Sequence, residues 1–251
     1  MTIEDGKANM ATPPSLVVPG MPTGFGTLLS FIKAPREVTA KAFIDWQQDR
    51  NFNPTRTDLP GGLTEHATKL LPLEPYPARR DLLVGTSGDE WTAFFESVPI
   101  GENPPHGASV LQVPLETDAL MIWVKPFTDE KIDPRDEPGF LTPGRGTRGP
   151  GRTVLEYTRP GQPLPRVIIL DEWYTASSRY AFRTKGPEQP WENTEHYTNR
   201  VKRDRFTPEI LESYCRKLGI DVFNLDFYSG PSVFTERNFA QSRMHPPQPQ
   251  S

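Results

Sequence analysis

Proline constrains this chain more than any other residue. There are 29 of them in 251 residues, about twice the usual share of roughly 5%. Each one lacks a backbone N–H and crowds the preceding turn, so it breaks helix interiors and central strands. The elements must therefore be short and joined by many ordered turns. Within that limit the chain reads as α+β: a mostly antiparallel sheet of about six strands, with helices near both ends packed on one face.

The clearest local structure lies in 201–228, VKRDRFTPEILESYCRKLGIDVFNLDFY. Thr207 can cap a helix by accepting a backbone N–H, and Pro208 at the first helical position loses no hydrogen bond. Leu211, Tyr214 and Leu218 recur on one stripe, with Cys215 beside it. Arg216 and Lys217 fall in the last turn, where cations are favoured, and Gly219 supplies a left-handed stop. A short helix is expected before this one, starting near 194 and buried through Tyr197 and Val201. Arg200, Lys202, Arg203 and Arg205 would then form its solvated face. The same four cations, broken only by Asp204, also suit an anion or an acidic partner surface.

Taken in order, residues 1–21 are expected to be a disordered N-terminal tail, since they offer little to bury beyond Leu16, Val17 and Val18. Residues 22–77 form a small helical part. A short apolar element of either type occupies 24–32, a helix capped by Thr39 covers 39–50, a Pro- and Gly-rich loop crosses 54–62, and a second helix covers 63–71. The prolines at 72, 75 and 77 mark a boundary. Residues 78–234 form a strand-rich body that ends in the C-terminal helices. There 82–84 and 91–95 flank a hairpin turn at 86–89, and 110–115 with 119–124 suggest a second strand pair. The polar stretch 128–152 reads as a mobile excursion. Strands return at 153–157, 167–170 and 179–184. Residues 235–251 are expected to be a disordered C-terminal tail.

Charge and hydropathy narrow the function classes. A net charge of −4 and a pI near 5.7 argue against generic binding to nucleic acid or anionic membranes. No apolar run approaches the roughly 18 residues of a membrane span, and the N-terminus lacks a signal-peptide pattern. One cysteine excludes an internal disulfide, so the cytoplasm is the default compartment.

The chemical motifs are thin. Gly144-Arg145-Gly146-Thr147-Arg148-Gly149 spells G-x-G-x-x-G, but the dinucleotide fingerprint needs a strand before it and a helix after it. Here loop precedes it, and Pro150-Gly151 and a strand follow. A flexible loop is the plainer reading, with anion or partner contact through Arg145, Arg148 and Arg152 as the other. His66, His106, His196 and His245 show no ligand spacing. Cys215 reads as a small buried hydrophobe. Asp171 and Glu172 close a strand, where acids can serve in catalysis, but neighbours on a strand point to opposite faces.

The segment 195–228 resembles the C-terminal signature of a family of uncharacterised bacterial proteins. The matching positions are Tyr197, Arg203, Asp204 to Thr207, Leu218 to Ile220, and Phe227-Tyr228. The hairpin GTSGDEWTAFF at 85–95 is similar to another part of such proteins. The resemblance implies a natural bacterial domain and brings no activity or site residue with it.

The sequence thus points to a soluble, non-catalytic protein-interaction module, of a kind that can include neutralising a partner. Arg200, Lys202, Arg203, Arg205 and Trp173 are its candidate surface. No catalytic residue, cofactor or metal ligand is assigned. The alternative is an enzyme or small-ligand-binding protein whose site assembles from distant acidic, basic and aromatic residues, Asp171, Glu172, Arg203 and Arg205 among them. An enzyme should show a pocket where such groups converge.

Overall fold

The computed structural model describes residues 15–22, 25–73, 78–97, 107–125, 151–172 and 180–238. Its elements are β1 (Leu28–Ile32), α1 (Arg36–Gln48), β2 (Thr55–Leu59), α2 (Leu63–His66), β3 (Ala78–Gly85), β4 (Thr92–Glu96), α3 (Gly107–Leu111), β5 (Ala119–Lys125), β6 (Gly151–Thr158), β7 (Arg166–Glu172), β8 (Tyr180–Lys185), α4 (Pro208–Lys217) and β9 (Ser232–Asn238). Single 3-10 turns at Ala67–Leu70, Thr194–Thr198, Lys202–Arg205 and Leu225–Tyr228 complete them. The class is α+β, as expected.

The described strands form one nine-stranded sheet in the order β2-β9-β3-β4-β1-β5-β6-β7-β8. Every pairing is antiparallel. Nine strands stand where about six are expected: 110–115 drops out, the element at 24–32, open between helix and strand, is strand β1, and β2 and β9 are strands that the sequence does not announce. β1 sits between β4 and β5, in the middle of the sheet. Residues 22–77 therefore supply strands β1 and β2 of the same sheet besides their helices.

Alternation along the strands sends side chains to two layers. Leu29, Phe31, Leu82, Val84, Ala93, Phe95, Leu120, Ile122, Leu155 and Ile168 face one core with Leu63, Leu70, Leu211, Tyr214 and Tyr228. Ile32, Leu83, Phe94, Ala119 and Val233 face a smaller core with Ala40, Phe43, Ala108 and Leu111. Helices thus cover both faces, not one: α2, α4 and their adjoining turns on the first, α1 and α3 on the second.

Local differences from the sequence reading have physical causes. Helix α1 begins at Arg36 because Pro35 sits at its N-cap, and Thr39 is an interior residue whose hydroxyl bonds Ala34 O at 3.4 Å. The 110–115 stretch does not form a strand. Gly107, Ala108 and Ser109 start α3 instead, with Gly107 pressed under Phe94, where a Cβ would lie 2.6 Å from the ring. Leu16 and Val18, placed in the N-terminal tail, are buried at 4% and 5% exposure, and Leu16 bridges Gly26. Strand β9 runs past 234 to Asn238, into the stretch assigned to the C-terminal tail. Helix α4 matches its sequence signals: Thr207 accepts from Ile210 N at 3.4 Å, and Gly219 has φ +83°. The polar stretch 128–150 lies outside the described residues.

Candidate interaction surface

The basic cluster sits on a loop fastened at both ends. On one side the Tyr197 ring lies tilted against Phe182 of β8, with ring centroids 5.1 Å apart, and its hydroxyl donates to Glu192 Oε2 at 2.7 Å. Glu192 is itself fixed by Arg166 of β7 through two bonds of 2.8 and 2.6 Å, and it accepts the Gln189 N–H at 2.8 Å. Bidentate pairing of this kind orders both side chains. Phe206 closes the other side, fully buried beside Tyr214.

Between these anchors the backbone is cinched. Asn199 Nδ2 donates to Asp204 O at 3.0 Å, Arg205 Nε donates to Asn199 O at 2.8 Å, and Asp204 N donates to Val201 O at 3.1 Å. The turn leaves Arg200, Val201, Lys202 and Arg203 pointing to solvent. Arg203 pairs with Asp204 at 3.1 Å, an exposed pair that contributes little. Among the described residues, Arg200 and Lys202 have no ion-pair or hydrogen-bond partner.

Two sequence expectations change here. Val201 is not a buried anchor but 47% exposed, because the segment forms two 3-10 turns rather than one helix with an apolar stripe. Arg205 does not join the outward cations. It braces the loop through Asn199 and lies over the Phe182 ring at 5.8 Å. Trp173 lies outside the described residues, as do Arg145 and Arg148 of the glycine-rich loop.

The residues of the alternative reading divide between the two faces of the sheet. Asp171 is buried and held by Arg152 at 2.6 Å and by Arg183. Glu172 accepts the Tyr180 hydroxyl at 2.9 Å on the opposite face, the side that carries Phe182 and Arg205. The two acids therefore do not share a site. Trp91 is core, its indole N–H bonded to Leu218 O at 3.1 Å. Cys215 is buried and its thiol is pushed well above its ordinary range by loss of water. Among the described residues no group of three or more His, Cys, Asp and Glu side chains is placed to hold a metal ion, and no helix is long and apolar enough to cross a membrane.

A second charged constellation escaped the sequence reading. Asp81 and Glu96 pair across β3 and β4, and Asp81 pairs with Thr235 and Arg79 with Arg237 across β3 and β9. Arg79 bonds Glu96 at 2.5 Å and Asp81 at 3.4 Å. Gln47 of α1 and Thr235 reach the other oxygen of Asp81 at 3.5 and 3.4 Å, and Gly107 N donates to Glu96 at 3.3 Å. Burial raises both carboxyls; Glu96 is pushed up to about 7, with Asp81 adding to the effect and Arg79 opposing it. The group ties α1 to the sheet through Gln47 and α3 through Gly107. The only sequence hint was acids at the outer ends of apolar strands.

No family model matches the chain, and no curated protein or solved structure matches it.

Proposed function

We propose that this protein is a non-catalytic binding module that docks an acidic surface of a partner protein on the loop bearing Arg200, Val201, Lys202 and Arg203. The supporting observation is the combination of a braced backbone with an outward face that the fold does not use. Asn199 and Arg205 hold the turn, while three cations surround an exposed valine. A preordered loop loses little conformational freedom on binding. Cations around an apolar centre provide steering and contact area together. The chain's net charge of −4 favours a protein over a nucleic acid as the partner. The cytosol is the proposed compartment, and kinship with the bacterial family resembled by 195–228 is proposed on the residues quoted for it.

The test is affinity capture from the native host with the full-length chain and an R200E/K202E/R203E variant. Arg205 stays intact because it supports the turn. A stoichiometric acidic partner, held by wild type and lost by the variant at unchanged thermal stability, is the expected result. A partner retained by the variant, or no partner at all, overturns the proposal.

A second reading has one observation in its favour. Asp81, Glu96, Arg79 and Arg237 converge beside Trp46 and Phe52, which brings acidic, basic and aromatic groups together at one place. A metabolite screen by thermal shift, with Glu96→Gln as control, tests it. A ligand that stabilises wild type but not the variant would move the function to this cluster.

A further inference from the structure

Among the described strands, β2 is one edge of the sheet and pairs only with β9. Its five residues, Thr55-Arg56-Thr57-Asp58-Leu59, lie between Pro54 and Pro60, and the first four are exposed. Alternate residues of an edge strand turn their N–H and C=O groups outward, ready for another strand. Natural edges are commonly blocked by shortness, proline, a bulge, a covering element or charged side chains, and charges repel a second copy where like signs come opposite each other. β2 contains no proline, pairs with β9 in unbroken register and carries one charge of each sign. The other edge differs. β8 exposes Arg183, Thr184 and Lys185, and self-pairing there would gather cations.

We propose that β2 is a self-association edge, which pairs antiparallel with β2 of a second copy about a two-fold axis at Thr57. That centre sets Arg56 of each copy opposite Asp58 of the other, twice, and Thr55 opposite Leu59. Moving the centre to Arg56 or to Asp58 sets like charges opposite each other, so charge selects one register. Such an interface is isologous and closes at two copies. Arg56 already contacts Asp58 at 2.7 Å and Glu37 of α1 at 2.6 Å within its own chain. Both side chains are thus held on the α1 face, aligned for a four-charge row. The strand is short beside a standard interface, so the dimer is weak and concentration-dependent.

The test is sedimentation velocity of the full-length chain across a concentration series. Asp58→Arg makes the edge all cationic and Arg56→Asp makes it all anionic. Each alone is expected to weaken association by about tenfold or more, and an equimolar mixture of the two is expected to restore it as a heterodimer. Circular dichroism checks that each variant is folded. Hydrogen exchange on wild type gives a readout that needs no variant: outward amides of β2 should slow as concentration rises. A wild type that stays monomeric, single variants that still dimerise, a mixture that fails to recover association, or β2 amides indifferent to concentration would each overturn the proposal.

Discussion

Asp81 and Glu96 stand directly opposite one another on β3 and β4, and Arg79 is bonded to both carboxylates. Burial raises the cost of ionising both acids, and the neighbouring Asp81 adds to that of Glu96. Glu96 takes its proton at about 7 in the folded chain, against 4.5 for an ordinary glutamate. The folded state then binds more protons than the unfolded state between those values, so stability falls as pH rises from about 4.5 through about 7. Asp81, also raised, acts with the same sign. Denaturant titrations across this pH range should show the decline, and Glu96→Gln should flatten it. A wild-type profile that rises through the window would contradict the assignment.

Apolar patterning was legible in the sequence, and charge-paired structure was not. The hairpin at 82–95, strands β5 to β8 and helix α4 announce themselves through alternating or striped apolar residues. Strand β9 hides its nature because Thr235 and Arg237 occupy inward positions, where the partner is Asp81 rather than a hydrocarbon. Strand β2 hides because, as an edge with its first four residues exposed, it needs no apolar face at all. The basic run 200–205 was visible, yet its geometry was not. Whether Arg205 points outward depends on Phe182 and Asn199, and Phe182 is remote in sequence.

Among the described residues, Arg166 and Glu192 form the most deeply buried ion pair, with side-chain exposures of 3% and 0%. Removing one partner of such a pair strands a buried charge. Arg166→Met should cost about 3–5 kcal/mol, read by urea unfolding. Adding Glu192→Gln to that variant should recover part of the loss, because the lone carboxylate is gone while the bonds from Tyr197 and Gln189 can persist. If the double variant is as unstable as the sum of the single ones, the pair is not acting as a unit.

Cys215 lies on the buried side of α4, and the thiol stays protonated at neutral pH because burial opposes the thiolate. Native protein should therefore resist thiol-directed reagents. Complete labelling should appear only with denaturant, following the unfolding transition measured by fluorescence. Rapid labelling of the native chain would show that α4 opens locally or that the thiol is not core.

Arg205 is the residue whose loss separates bracing from binding. Arg205→Ala removes the charge-assisted bond to Asn199 O and the cover over Phe182, a change worth about 1–2 kcal/mol. Arg200→Ala and Lys202→Ala remove no such support, so they should leave stability within about 0.5 kcal/mol of wild type. Hydrogen exchange in 199–205 should quicken for Arg205→Ala and stay unchanged for the other two. Partner binding should respond differently again. Arg200→Ala and Lys202→Ala weaken it most at low salt, where their charges are least screened. Arg205→Ala weakens it similarly at low and high salt, because what it removes is order rather than an outward charge. A salt-dependent loss for Arg205→Ala would place its guanidinium at the partner and undo the division between the two roles.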